Sequence, residues 1–100
     1  MKLEIHGDTL RVTSVLQLGE PNAKAFRDSV RAAWVDEQKN VEVDLSQTTF
    51  VDSSGLGALV ALHKTAINRQ GRLSLLNPTP PVQQILELTR LDGIFEIVRR

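Results

Sequence analysis

Leu3 and Ile5 alternate with polar residues, Gly7-Asp8 interrupts, and Leu10 and Val12 resume the alternation. Two short period-2 runs around a glycine turn predict a β-hairpin, because glycine readily supplies the positive φ that such turns need. From Pro21 the period becomes helical. Ala23, Phe26, Val30, Ala33 and Trp34 recur on one side of a helix whose entry suits Pro21 or Asn22. Val41, Val43 and Leu45 alternate with Glu42 and Asp44 and predict a third strand. Leu56, Leu59, Val60, His63 and Ile67 form the stripe of a second helix, which Gln70-Gly71 ends because glycine tolerates the left-handed cap conformation. Leu73 and Leu75 begin a fourth strand. Asn77-Pro78-Thr79-Pro80-Pro81 then breaks the chain before a third helix carrying Val82, Ile85, Leu86 and Thr89 on one side, and Asp92-Gly93 turns into a last strand from Ile94 to Val98.

The predicted order is β-β-α-β-α-β-α-β, an α/β fold. Strands separated by single helices pair in parallel through right-handed crossovers. Two strands alternate strictly, whereas a sheet covered on both faces is almost wholly apolar. The expectation is a small mixed β-sheet with its helices mainly on one face. Residues 1–100 contain no repeat, linker or low-complexity segment and are expected to form a single domain.

Composition narrows the function classes. Hydrophobic residues make up 41% and charged residues 24%, which suits a packed globular chain rather than a disordered one. Acids and bases balance to a formal charge of zero, and no basic cluster exceeds Arg99-Arg100, so neither nucleic acid nor an anionic membrane is an expected partner. The lack of cysteine excludes disulfides, zinc–thiolate sites and thiol catalysis, and it suits a reducing cytoplasm. Residues 1–6 contain neither a signal-peptide core nor a spanning segment, so a soluble cytoplasmic protein without membrane insertion is expected.

The chemistry concentrates where Thr48-Thr49-Phe50-Val51 runs into Asp52-Ser53-Ser54-Gly55-Leu56-Gly57 at the start of the second helix. A helix N-terminus presents unpaired N–H groups and the positive end of the macrodipole, and tolerates an anion. Asp52 or Ser53 is a natural N-cap. Gly55 and Gly57 each cost the helix about 1 kcal/mol relative to alanine, which points to another backbone, or a partner protein, approaching closely. A serine here is expected to be exposed, and phosphorylation would add about −1.5 to −2 charges. Spacing alone also fits an ordinary cap. The run is not a P-loop, since it lacks the Gly-Lys-Ser/Thr ending, nor a hydrolase elbow, since no glycine stands two residues before either serine.

His63 shares a face with Leu59 and Ile67 and is expected to be packed; no third group accompanies His63 or His6 at metal-ligand spacing, so no metal site or cofactor is expected. Glu42 and Asp44 are expected on a solvated sheet face, Trp34 in the core, and Lys64 and Arg69 in solvent. No nucleophile, base and orienting group converge in the sequence, so no enzyme is expected.

The run from Val43-Asp44-Leu45 through Phe50-Val51-Asp52-Ser53-Ser54-Gly55-Leu56-Gly57 to Leu62 resembles the STAS domain of bacterial anti-sigma factor antagonists. The likeness covers most of the chain, including the hairpin, the three helices and the late segment Ile85 to Phe95. It implies a phosphoprotein of partner switching and transcription regulation. An anti-sigma factor that is also a serine protein kinase phosphorylates such antagonists; the unmodified antagonist binds that kinase, and a phosphatase resets the cycle. By position the resemblance implies Ser54 as the acceptor, with Ser53 as the alternative. Asp52, Ser53, Gly55, Leu56 and Gly57 become the partner-binding residues. The family's Gly-Glu-Leu-Asp stretch after the second strand is replaced by Leu16-Gln17-Leu18-Gly19, with the acid displaced to Glu20. STAS domains also serve as non-phosphorylated subunits or scaffolds, for example in ABC lipid transporters or signalling assemblies.

Overall fold

In the computed structural model, which describes residues 1–100, the hairpin forms first: β1 (Lys2–His6) and β2 (Thr9–Thr13) pair antiparallel around Gly7, whose φ is +62°. The two-residue strand β3 (Gln17–Leu18) follows, then α1 (Ala23–Ala33), β4 (Asn40–Asp44), a second two-residue strand β5 (Phe50–Val51) and α2 (Ser53–Asn68). The chain continues through β6 (Leu73–Leu76), α3 (Pro80–Leu88), a 3₁₀ turn (Leu91–Gly93) and β7 (Glu96–Val98). Five strands form one mixed sheet in the order β1-β2-β4-β6-β7, antiparallel only at β1–β2. The expected succession of elements describes this sheet and its helices. The structure adds a separate parallel ribbon, β3–β5, which sequence patterning cannot detect at two residues per strand.

Alternation along the strands sets the layers. Leu10, Val12, Val41, Val43, Leu73 and Leu75 point into one buried cluster with Phe26 and Val30 of α1, Leu59 and Leu62 of α2, and Val82 and Leu86 of α3. The helices therefore lie on that face. On the opposite face Arg11 and Glu42 are neighbours in register, and Glu42 accepts from Arg11 and from Arg100, each at 3.0 Å. Glu42 is thus a paired, mostly covered carboxylate rather than a solvated one, because the C-terminal arginine folds back over the sheet. No helix is long and apolar enough to cross a membrane.

Several local expectations are corrected. The buried face of α2 comprises Gly55, Leu56, Ala58, Leu59, Leu62 and Ala66, while Ile67 is 57% exposed. The small residues on this face let α2 sit close to its neighbours, and a reading of large apolar positions alone misplaces the stripe. At the end of α2 the left-handed residue is Gln70 (φ +63°), not Gly71. Gly71 is needed for room: a Cβ there would overlap the Lys39 carbonyl, 2.6 Å from its carbon. Arg69 does not face solvent freely. Its guanidinium stacks 4.5 Å from the Trp34 ring centroid and donates to the carbonyls of Trp34 and Val35 at 3.0 Å, tying the end of α2 to the end of α1. Thr89 is the exposed C-cap of α3, its hydroxyl donating to the Ile85 carbonyl. The last strand begins at Glu96 and leaves Ile94 exposed, because the 3₁₀ turn occupies Leu91–Gly93.

Candidate functional site

The Asp52–Gly57 turn is built from behind by the β3–β5 ribbon. Gln17 pairs with Phe50 and Leu18 with Val51, and the Asp52 N–H donates to the Leu18 carbonyl at 3.2 Å. Asn22 braces the other strand: its Oδ1 accepts from the Gly19 N–H at 2.9 Å and its Nδ2 donates to the Gln17 carbonyl at 2.8 Å. Leu16-Gln17-Leu18-Gly19 is therefore the back wall of the turn.

Asp52, rather than Ser53, is the N-cap of α2. Its extended backbone (φ −115°, ψ −173°) lets one carboxylate oxygen, Oδ1, accept from the N–H groups of Ser54 (2.9 Å) and Gly55 (3.0 Å). The other, Oδ2, accepts from the Glu20 N–H at 3.0 Å, so this side chain also fastens the β3–α1 loop to the helix. The Glu20 N–H first, then those of Gly55 and Ser54, hold the Asp52 carboxyl below its ordinary pKa. Two first-turn N–H groups are thereby occupied, and Leu56 N–H already bonds the Asp52 carbonyl at 2.9 Å. An internal carboxylate already neutralises much of this helix end.

The two glycines differ. A Cβ on Gly55 would overlap the Leu18 carbonyl oxygen and lie 2.7 Å from its carbon, so Gly55 is the point where the ribbon's backbone meets the helix. A Cβ on Gly57 would meet nothing within 4 Å. Gly57 is exposed, and its bareness serves no internal contact. Leu56 is buried in the core cluster, whereas Ser53 and Ser54 are exposed, their hydroxyls outside the cap's hydrogen bonds. The expected acceptor Ser54 lies at the surface; of the expected partner-binding positions, Ser53 and Gly57 lie there too, Asp52 is half-buried, and Gly55 and Leu56 face inward.

Sequence reasoning missed three participants. Gly19 must be small because a Cβ there would lie 2.8 Å from Asp52 Oδ2. Lys24 and Arg27 of α1 share a cleft with Ser54. Their helical spacing on α1 was readable, but nothing local pairs them with residue 54. His63 packs edge-on against Phe95, ring centroids 5.5 Å apart, and takes no part in the turn.

The chain matches the sequence model of the STAS domain over residues 1–100. The anti-sigma-B factor antagonist of Listeria monocytogenes is 29% identical over 75 residues, which are 75% of this chain and 66% of that protein. The crystal structure of the Thermotoga maritima protein TM1081 superposes with a TM-score of 0.88 at 26% identity, covering 99% of this chain and 85% of that one. The Bacillus cell fate determinant SpoIIAA in its phosphorylated form gives a TM-score of 0.73 at 21% identity over 99% of this chain and 89% of that chain, a likeness of fold alone.

Proposed function

Because the chain belongs to the STAS-domain family, we propose that it works as an anti-sigma factor antagonist: a cytoplasmic, non-enzymatic binding protein switched by phosphorylation of Ser54. Its partner is an anti-sigma factor that is also a serine protein kinase, and a phosphatase resets it. The observation that carries this reading is an exposed, unengaged serine one helical turn from a bare glycine, on a turn held rigid from behind by Asp52 and Leu18. The exposed, side-chain-free surface at Gly57 permits close backbone approach by a partner. Transfer of the γ-phosphoryl group from ATP to Ser54 Oγ forms a P–O bond there, releases ADP, and passes the hydroxyl proton to a base on the kinase. The product places a dianion in the docking surface, where an opposing protein face would have to desolvate it. SpoIIAA of Bacillus, which shares the fold, has a phosphorylated form of its own.

Incubation with the cognate kinase and ATP, followed by mass-spectrometric mapping, is expected to find phosphate on Ser54. Label confined to residues other than Ser53 and Ser54 refutes the assignment. Ser54→Asp is expected to weaken kinase binding while Ser54→Ala retains it, and equal affinities would remove the charge switch.

A further inference from the structure

Beside Ser54, α1, the loop before it and α2 border an open cleft of about 250 Å³ lined by Glu20, Ala23, Lys24, Arg27, Ser54 and Ala58. Ser53 does not line it. Both cations are held by one acid on α1: Lys24 Nζ lies 3.2 Å from Asp28 Oδ2 and Arg27 Nε 3.4 Å from Asp28 Oδ1. From this geometry we infer that Lys24 and Arg27 receive the phosphate of phospho-Ser54, exchanging Asp28 for it, so that modification latches α1 to the start of α2. The inference rests on the reading that Ser54 carries the phosphate.

Three observations support the exchange. The helix end has little left with which to neutralise a new anion, since Asp52 already occupies the Ser54 and Gly55 N–H groups and its carbonyl takes that of Leu56. The Lys24–Asp28 pair is solvent-exposed and the Arg27–Asp28 pair only half-covered, and pairs of that kind are weak. A phosphate carries more charge than a carboxylate and three acceptor oxygens, which suit the planar donor fork of arginine. The acids beside Ser54 are Glu20 in the cleft and Asp52 at the cap, and they oppose the phosphate whether or not the latch forms. Without Lys24 and Arg27, therefore, the phosphate sits in a net acidic setting. With them it is partly neutralised within the protein, and the surface of α1 changes along with the turn.

The test uses the full chain with phosphoserine installed at position 54 by semisynthesis, and follows the second ionisation of the phosphate by ³¹P NMR between pH 4 and 9. The expected result is a pKa about half a unit or more lower in the parent phosphoprotein than in Lys24→Gln/Arg27→Gln, at least a threefold change in the ionisation constant. Arg31→Gln, which removes an exposed cation of the same helix outside the cleft, is expected to leave the constant unchanged. Equal constants in the parent and the double variant overturn the latch, as does an equal shift from Arg31→Gln, which would indicate only the general field of α1. Because the phosphoserine is installed chemically, the result does not depend on any kinase. Failure of a kinase to modify Ser54 would refute the proposed function, whereas equal constants would refute the latch alone.

Discussion

Gly55→Ala and Gly57→Ala place the same methyl group in the same first turns of α2, and the structure assigns them opposite effects. In an unobstructed helix, replacing glycine by alanine stabilises by about 0.4–1 kcal/mol, mainly by restricting the unfolded chain. At Gly57 nothing opposes that gain, since the added carbon meets no atom within 4 Å. At Gly55 the added carbon overlaps the Leu18 carbonyl and comes within 3.0 Å of Leu18 Cγ. Leu18 has no exposed surface, and its carbonyl is held by the Asp52 N–H, so the ribbon cannot withdraw without disturbing the core or the cap. Overpacking of this kind costs about 1–3 kcal/mol, and the backbone position of the clash points to the upper part of that range. Against the propensity gain, Gly55→Ala should lose about 2 kcal/mol, a fall in Tm of roughly 8–16 °C for a domain of this size. Gly57→Ala should raise Tm by roughly 2–8 °C. Thermal melts followed by circular dichroism at 222 nm, checked by urea titration, decide the matter. A Gly55→Ala protein melting at or above the parent would refute the close-approach argument. The proposed docking surface adds a further readout: Gly57→Ala should bind the kinase more weakly despite its greater stability, and unchanged affinity would remove Gly57 from the interface.

The remaining expectations concern the cap, the helix stripe and the α1–α2 tie. Asp52 has a folded-state pKa below its unfolded value of about 4, so its stabilisation is complete above that value and is lost as pH falls through the folded one. Stability should therefore decline more steeply below about pH 4 in the parent than in Asp52→Asn, and parallel acid limbs would contradict the cap's role. Leu62→Ala, at a fully buried position, should cost about 2–5 kcal/mol, whereas Ile67→Ala at an exposed one should stay within about 0.5 kcal/mol; similar losses in urea titrations would reject the observed stripe. Arg69→Ala should lose about 1–2 kcal/mol through its ring stacking and two carbonyl contacts. Arg69→Lys should not restore that loss, because a point charge cannot reproduce the planar fork, and full rescue by lysine would contradict the geometry.

What could be read directly from the chain is local. The period-2 runs at Leu3–Val12 and Val41–Leu45, the helical spacing from Ala23 and the proline break at 78–81 depend on neighbours a few positions away, and so does the capping potential of Asp52-Ser53. The succession of strands and helices follows from them, and so does the position of the turn. The tertiary structure decided which contacts join residues some thirty positions apart. Leu18 fills the space a side chain at Gly55 would need, Glu20 takes the second oxygen of Asp52, and Arg69 closes over Trp34. None of these leaves a periodic trace, because each depends on how two separately formed elements meet. The same cause misplaced the stripe of α2, whose buried face relies on Gly55, Ala58 and Ala66, residues whose smallness matters only once neighbours are packed against them. Ser54 was legible as an exposed serine at a helix start. That it shares a cleft with Lys24 and Arg27 was decided by the packing of α1 against α2.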